Sequence, residues 1–118
     1  RSYRNHLERV FTALGYKVAL AVNGQDALHK LEEIDTPEFI IVDVEMPEMN
    51  GLEFTERVRA MPQHDELPIM MMTTKYQYEE KAMSIGVDVF LKKPLDPPVL
   101  QKAIATVKGL RMSKEPLA

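Results

Sequence analysis

An α/β fold built on a doubly wound parallel sheet is the architecture this sequence predicts, and three observations carry the prediction. Short apolar runs of strand length alternate with amphipathic helical stretches along most of the chain. The runs at 39–43 and 68–73 are apolar at nearly every position, the composition of strands buried on both faces rather than half-exposed ones. Strands separated by helices of about ten residues imply βαβ units with right-handed crossovers and a sheet covered on both sides.

Each element follows from local signals. In residues 2–14, Leu7, Val10, Phe11 and Leu14 fall at the spacing of one helical face, and Gly15 follows as a stop. Lys17 to Ala21 is an apolar run of strand length that ends at Asn23-Gly24. Asn23 is placed to cap the next helix, whose buried stripe is Ala27, Leu28, Leu31 and Ile34. Asp35-Thr36-Pro37 ends it, because a proline disfavours helical geometry in the residue before it. Phe39-Ile40-Ile41-Val42-Asp43 is then a buried strand that stops at a carboxylate.

Gly51 to Met61 forms a third helix with Phe54, Val58 and Met61 on one side, ended by Pro62 and the polar Gln63-His64-Asp65-Glu66 loop. Pro68 to Thr73 is a strand with its proline at the start, where a missing donor matters least. Tyr76 to Ile85 makes a weaker, more polar helix closed by Gly86, and Val87 to Leu91 is the next strand, with Lys92-Lys93-Pro94 as the loop beyond it. Asp96-Pro97 opens the last helix, whose stripe is Leu100, Ala103, Ile104 and Val107. Residues 1–110 make one domain, and residues 111–118, polar and proline-containing, are expected to be a linker or C-terminal tail.

Composition narrows the function classes. The chain has 118 residues, 45% hydrophobic and 28% charged, which fits a single globular domain with a sizeable core. No apolar run approaches the roughly 18 residues needed to span a bilayer, so no membrane partner is expected. With no cysteine, disulfides, thiolate metal sites and cysteine nucleophiles are excluded. A net charge of −3 gives no basic footprint, so no direct nucleic-acid binding by this segment is expected. His6, His29 and His64 are scattered over helices and a loop and are taken as surface residues, not a metal set.

Parallel strands all point one way, so Asp43, Thr73 and Lys93 should meet at one edge of the sheet, where ligands of open α/β sheets bind. A carboxylate there can act as a nucleophile towards a phosphoryl group. Two anions must meet, and a hard cation such as Mg²⁺, held by few protein oxygens together with phosphate and water, removes the repulsion. A lysine and a hydroxyl can serve the remaining phosphoryl oxygens. Taken singly, Asp43 is an ordinary strand-end residue and Thr73 an ordinary strand residue. Thr74 rivals Thr73 for the hydroxyl role, and Lys92 rivals Lys93.

In order and spacing, Asp43, the Met46-Pro47-x-Met49-Asn50-Gly51 loop, Thr73 five residues after Pro68, and Lys93-Pro94 resemble the receiver domain of two-component response regulators. The resemblance covers residues 1 to about 110 and implies a flavodoxin-like, CheY-like fold. It implies that Asp43 is the phosphoacceptor, that Asp43 and the backbone carbonyl of Glu45 are Mg²⁺ ligands, and that Thr73 is a switch hydroxyl. Lys93 would pair with the phosphate, with a cis bond to Pro94, and Phe90 would be the aromatic switch. The implied activity is phosphorylation-dependent signalling in the cytoplasm rather than enzymatic turnover. A histidine kinase or histidine phosphotransfer protein would donate the phosphoryl group, and an output domain or effector protein would receive the signal.

The family opens with a central strand ending in two adjacent acidic metal ligands, whereas this sequence starts at the first helix and no acidic pair precedes Arg1. The fold is thus expected without its first strand, and three accounts stand open: a natural chain that starts earlier, a domain that lacks the strand, and a homodimer whose partner supplies it by a strand swap. Two other functions remain in view. A pseudo-receiver would bind proteins without phosphorylation. An aspartate-nucleophile phosphatase would use Glu45 as acid/base, although the short chain and the absence of a Gly-Thr turn speak against it.

Overall fold

The computed structural model of the chain describes residues 2–114. In chain order the elements are α1 (Ser2–Ala13), α2 (Gly24–Glu33), β1 (Ile40–Asp43), α3 (Gly51–Arg59), β2 (Ile69–Thr73), α4 (Glu79–Ser84), β3 (Val89–Lys92) and α5 (Pro97–Lys114). The three strands form one parallel sheet in the order β1-β2-β3. Ile40 lies opposite Ile69 and Asp43 opposite Met72, while Met70 lies opposite Val89 and Thr73 opposite Lys92.

Side chains of β2 alternate between two cores, as the two-residue period of a strand requires. Met70 and Met72 join Leu7 and Phe11 of α1, Leu91 of β3, and Leu100, Ala103, Ile104 and Val107 of α5. Ile69 and Met71 join Val42 of β1, Phe54 and Val58 of α3, and Ala82 of α4, with Ala27, Leu28 and Leu31 of α2 packed alongside. The helices therefore cover both faces, which is the predicted doubly wound arrangement. All five residues of β2 are buried, as a central strand demands.

Local chemistry sets the helix boundaries. The Asn23 side chain accepts from Asp26 N at 2.8 Å and caps α2. Asn50 and Glu53 form a capping box at the start of α3, an S/T/N-x-x-E pattern that the sequence displays. After α1, Gly15 takes a φ of +95°, which a side-chain-bearing residue adopts only with strain. Thr55, fully buried in α3, satisfies its hydroxyl by donating to Gly51 O at 2.8 Å.

Several sequence expectations are corrected. Residues 17–21 form no strand: among the described residues β1 pairs only with β2, and an apolar run becomes a strand only where a neighbour completes its ladder. Val18 still packs against the α1/α5 core, and Tyr16 closes an aromatic triangle with Phe11 and Phe39, with ring centroids 5.4 to 5.8 Å apart. Leu14 and Ile34 are exposed, because each lies just past the last turn of its helix, where the apolar stripe leaves the core. The expected helix at 76–85 divides into a 3₁₀ turn, Tyr76–Tyr78, and α4. The strand expected at 87–91 spans Val89–Lys92, since Asp88 is drawn off to accept from Ile69 N and Arg59. His64 is buried, not a surface residue, and sits in the 3₁₀ turn Pro62–His64 beneath the Arg59 side chain, which donates to its carbonyl. The last helix, α5, runs through Gly109 and past residue 110 to Lys114. The rest of the expected tail, 115–118, lies outside the described residues.

Candidate functional site

The carboxyl ends of β1, β2 and β3 bring Asp43, Thr73 and Lys93 to one edge of the sheet. Asp43 is the last residue of β1, and its carboxylate is held from two sides. Oδ1 accepts from Glu45 N at 3.0 Å, an Asx turn that begins the loop. Oδ2 forms an ion pair with Lys93 Nζ, both side chains being about one-fifth exposed (20% and 21%). Gly51, at the start of α3, is where the loop folds back: its N–H donates to Val44 O at 3.0 Å, and a Cβ there would collide with Asp43 O. Glycine is thus required for α3 to approach the end of β1 so closely. Between them, Glu48 has a φ of +67° at the centre of a tight turn closed by Met49 N donating to Pro47 O at 2.7 Å.

Lys93 follows β3 and is placed by two contacts besides that with Asp43. Its N–H donates to Thr73 O at 2.9 Å, extending the β2/β3 ladder one rung past the strands. The peptide bond from Lys93 to Pro94 is cis. The ammonium lies 5.2 Å from the centroid of the Tyr3 ring, a cation–π contact, and Tyr3 Oη accepts from Leu95 N at 2.8 Å just beyond the proline. Lys92, the rival lysine, points elsewhere, is exposed, and sits 4.6 Å over the ring of Tyr76.

Thr73 ends β2 and is completely buried. Its Oγ1 donates to the Glu45 carboxylate, at 2.9 Å to Oε2 and 3.1 Å to Oε1, and accepts from Lys75 N at 3.1 Å. Glu45 thereby joins the two ends: its amide holds Asp43 and its carboxylate holds Thr73. Thr74 is exposed and takes no part in these contacts. Phe90 is half-buried on the α3/α4 face of the sheet, opposite Met71 and two register positions from the end of β2, packed against the cluster that holds Met71, Ala82 and, alongside, Tyr78.

Two participants escaped the sequence reading. Tyr3 precedes Leu7 by one helical turn and continues the α1 stripe, so the helical period could have found it as a core residue, though not as a neighbour of Lys93. The Glu45 side chain carries no sequence signal for a contact with Thr73, since the two residues are 28 apart and meet only through strand register.

Asp43 and Glu45 share one turn, so the hard oxygen donors it could offer a cation are the Asp43 carboxylate and the Glu45 carbonyl. That set suits Mg²⁺, which keeps several waters and takes one or two carboxylates plus phosphate oxygens. Among the described residues no group of three or more His, Asp or Glu side chains could hold a metal by itself.

Comparison with known proteins agrees with this fold. The family described as the response regulator receiver domain matches residues 1–105. Chemotaxis protein CheY1 of Helicobacter pylori strain J99 is 36% identical over 109 residues, covering 90% of this chain and 88% of that protein. The response regulator MprA of Mycobacterium leprae is 31% identical over 118 residues, and there the match covers 98% of this chain but 49% of the relative. Among solved structures, chemotaxis protein CheY4 of Vibrio cholerae superposes with a TM-score of 0.83 at 33% identity, covering 90% of this chain and 89% of that one.

Proposed function

This chain belongs to the response regulator receiver family, and from that premise we propose that Asp43 accepts a phosphoryl group and that the domain relays its presence to a partner. The single observation that supports this most is the carboxylate of Asp43 held by Lys93 beside the buried hydroxyl of Thr73, at the ends of three parallel strands. The donor is a phosphohistidine of a histidine kinase or phosphotransfer protein, and the compartment is the cytoplasm. Among the described residues no helix is long and apolar enough to cross a membrane.

In the transfer, a carboxylate oxygen of Asp43 attacks phosphorus as the P–N bond to the donor imidazole breaks. The imidazole nitrogen keeps the bonding pair and is left neutral once its proton balance with water is restored. Lys93, already beside the carboxylate, follows the charge onto a phosphoryl oxygen, and the hydroxyl of Thr73 donates to another. The Asp43 carboxylate and Glu45 carbonyl would hold Mg²⁺, which supplies neutralisation of the charge shared between carboxylate and phosphoryl group. The new group adds roughly −1.5 to −2 charges and strong acceptor oxygens. As Thr73 turns to it, Phe90 takes the space released, and the surface formed by residues 76–110 changes. An output domain or effector that prefers one state of this surface biases the equilibrium reciprocally.

The role is signalling and not enzymatic turnover. Against the phosphatase alternative stands the engagement of the Glu45 carboxylate by Thr73, where a general acid/base would need to face the phosphoryl group. Incubation with Mg²⁺ and acetyl phosphate, followed by intact mass, tests the proposal: the wild type gains one stable phosphoryl group and Asp43→Asn gains none. Retained labelling in that variant, or rapid multiple turnover in the wild type, overturns it.

A further inference from the structure

Thr73 has one hydroxyl hydrogen, and in this structure it is already spent on Glu45. From this we infer that Glu45 is a latch on the switch hydroxyl: its carboxylate must release Thr73 before a phosphoryl group on Asp43 can engage it. The inference rests on Asp43 being the acceptor, and it assigns to the side chain of Glu45 a positioning role separate from that of its main chain.

The geometry supports an exchange of acceptors. Thr73 is completely buried, so its hydroxyl needs an acceptor in the resting state as well as in the phosphorylated one. The oxygen also accepts from Lys75 N, which fixes its lone-pair side and leaves the hydrogen as the only variable. Glu45 can reach it because the bond from its amide to Asp43 Oδ1 anchors the main chain two residues from the acceptor. The rest of Glu45 is exposed, so its carboxylate can return to water when displaced. A phosphoryl group on Asp43 would also bring like charge to the same turn, which drives the carboxylate outward. The latch thus stabilises the resting state by one charge-assisted hydrogen bond and opens when a stronger anion arrives.

Two measurements on the full chain test this. By NMR without any phosphoryl analogue, the Thr73 hydroxyl proton of the wild type exchanges slowly with water; Glu45→Ala abolishes the signal, and Glu45→Gln, which keeps an acceptor but not the charge, retains it at a shifted frequency. With Mg²⁺ and beryllofluoride, Glu45→Ala binds about tenfold more tightly than the wild type, as expected when a partly exposed charge-assisted bond no longer has to be broken. The same change in a Thr73→Ala background gives a clearly smaller gain, and the difference isolates the part that runs through the hydroxyl. An unchanged hydroxyl signal in Glu45→Ala, or equal gains in both backgrounds, overturns the latch. If no variant binds beryllofluoride yet the hydroxyl signal is lost in Glu45→Ala, the resting contact stands and the acceptor role of Asp43 falls.

Discussion

Lys92 and Lys93 are adjacent and chemically identical, yet only one meets Asp43. Consecutive side chains at a strand end face opposite ways, so Lys92 lies over Tyr76 while Lys93 turns to the carboxylate. Removing Lys93 strips a largely covered carboxylate of its counter-charge, which costs more than losing a surface pair but less than breaking a fully buried one. Lys93→Ala should therefore lower stability by roughly 1–2 kcal/mol and Lys92→Ala by under about 0.5 kcal/mol in urea unfolding. Equal losses would show that the Asp43–Lys93 pair contributes nothing. Asp26 is a second residue-scale case: the Val22 N–H, and after it Lys30, hold its carboxyl below the ordinary 3.8. A depressed folded value means the contribution is present above the unfolded value and is lost as pH falls through the folded one. An NMR titration should find the Asp26 midpoint below that of the unfolded chain; a midpoint above it refutes the bond from Val22.

At the scale of elements, the approach of α3 to β1 is the tightest constraint at the site. Gly51→Ala puts a methyl group against Asp43 O, so the start of α3 must shift. A loss of roughly 1–3 kcal/mol and slower phosphorylation of Asp43 are expected together, and a neutral Gly51→Ala would refute the close approach. At the opposite edge of the sheet, Arg59 of α3 donates to Gly86 O, His64 O and Asp88 Oδ2, while Asp88 Oδ2 also accepts from Ile69 N. This network fastens α3 to the loops entering β2 and β3. Asp88→Ala leaves Ile69 N without its acceptor and should cost about 2 kcal/mol while leaving the labelling rate of Asp43 unchanged. A changed rate would mean that the two edges are coupled.

For the molecule as a whole, the best protected element is β2, which lies between β1 and β3 with all five residues buried. Hydrogen exchange should be slower along β2 than at the ends of α1 or α4, and exchange in β2 as fast as at those ends would refute its central place. The difference between local and long-range determinants explains what was legible beforehand. Asn23 announced α2, Asp96-Pro97 announced α5, and the unbroken apolar runs announced β1 and β2, because caps, prolines and periodicity act within a few residues. The run at 17–21 has the same local character, yet it is no strand, since a ladder needs a neighbour that local sequence cannot supply. His64 sat in a polar stretch and is nevertheless buried, in a turn whose carbonyl accepts from Arg59, five residues back in α3. By itself, then, the sequence determined the alternation of helix and strand and, through it, that Asp43, Thr73 and Lys93 end up at one edge. Only the tertiary structure decided that the Lys93 ammonium pairs directly with the Asp43 carboxylate in this state, and that the hydrogen of Thr73 is given to Glu45. Those contacts join residues 50 and 28 apart, and their partners are set by the register of three strands rather than by any pattern along one.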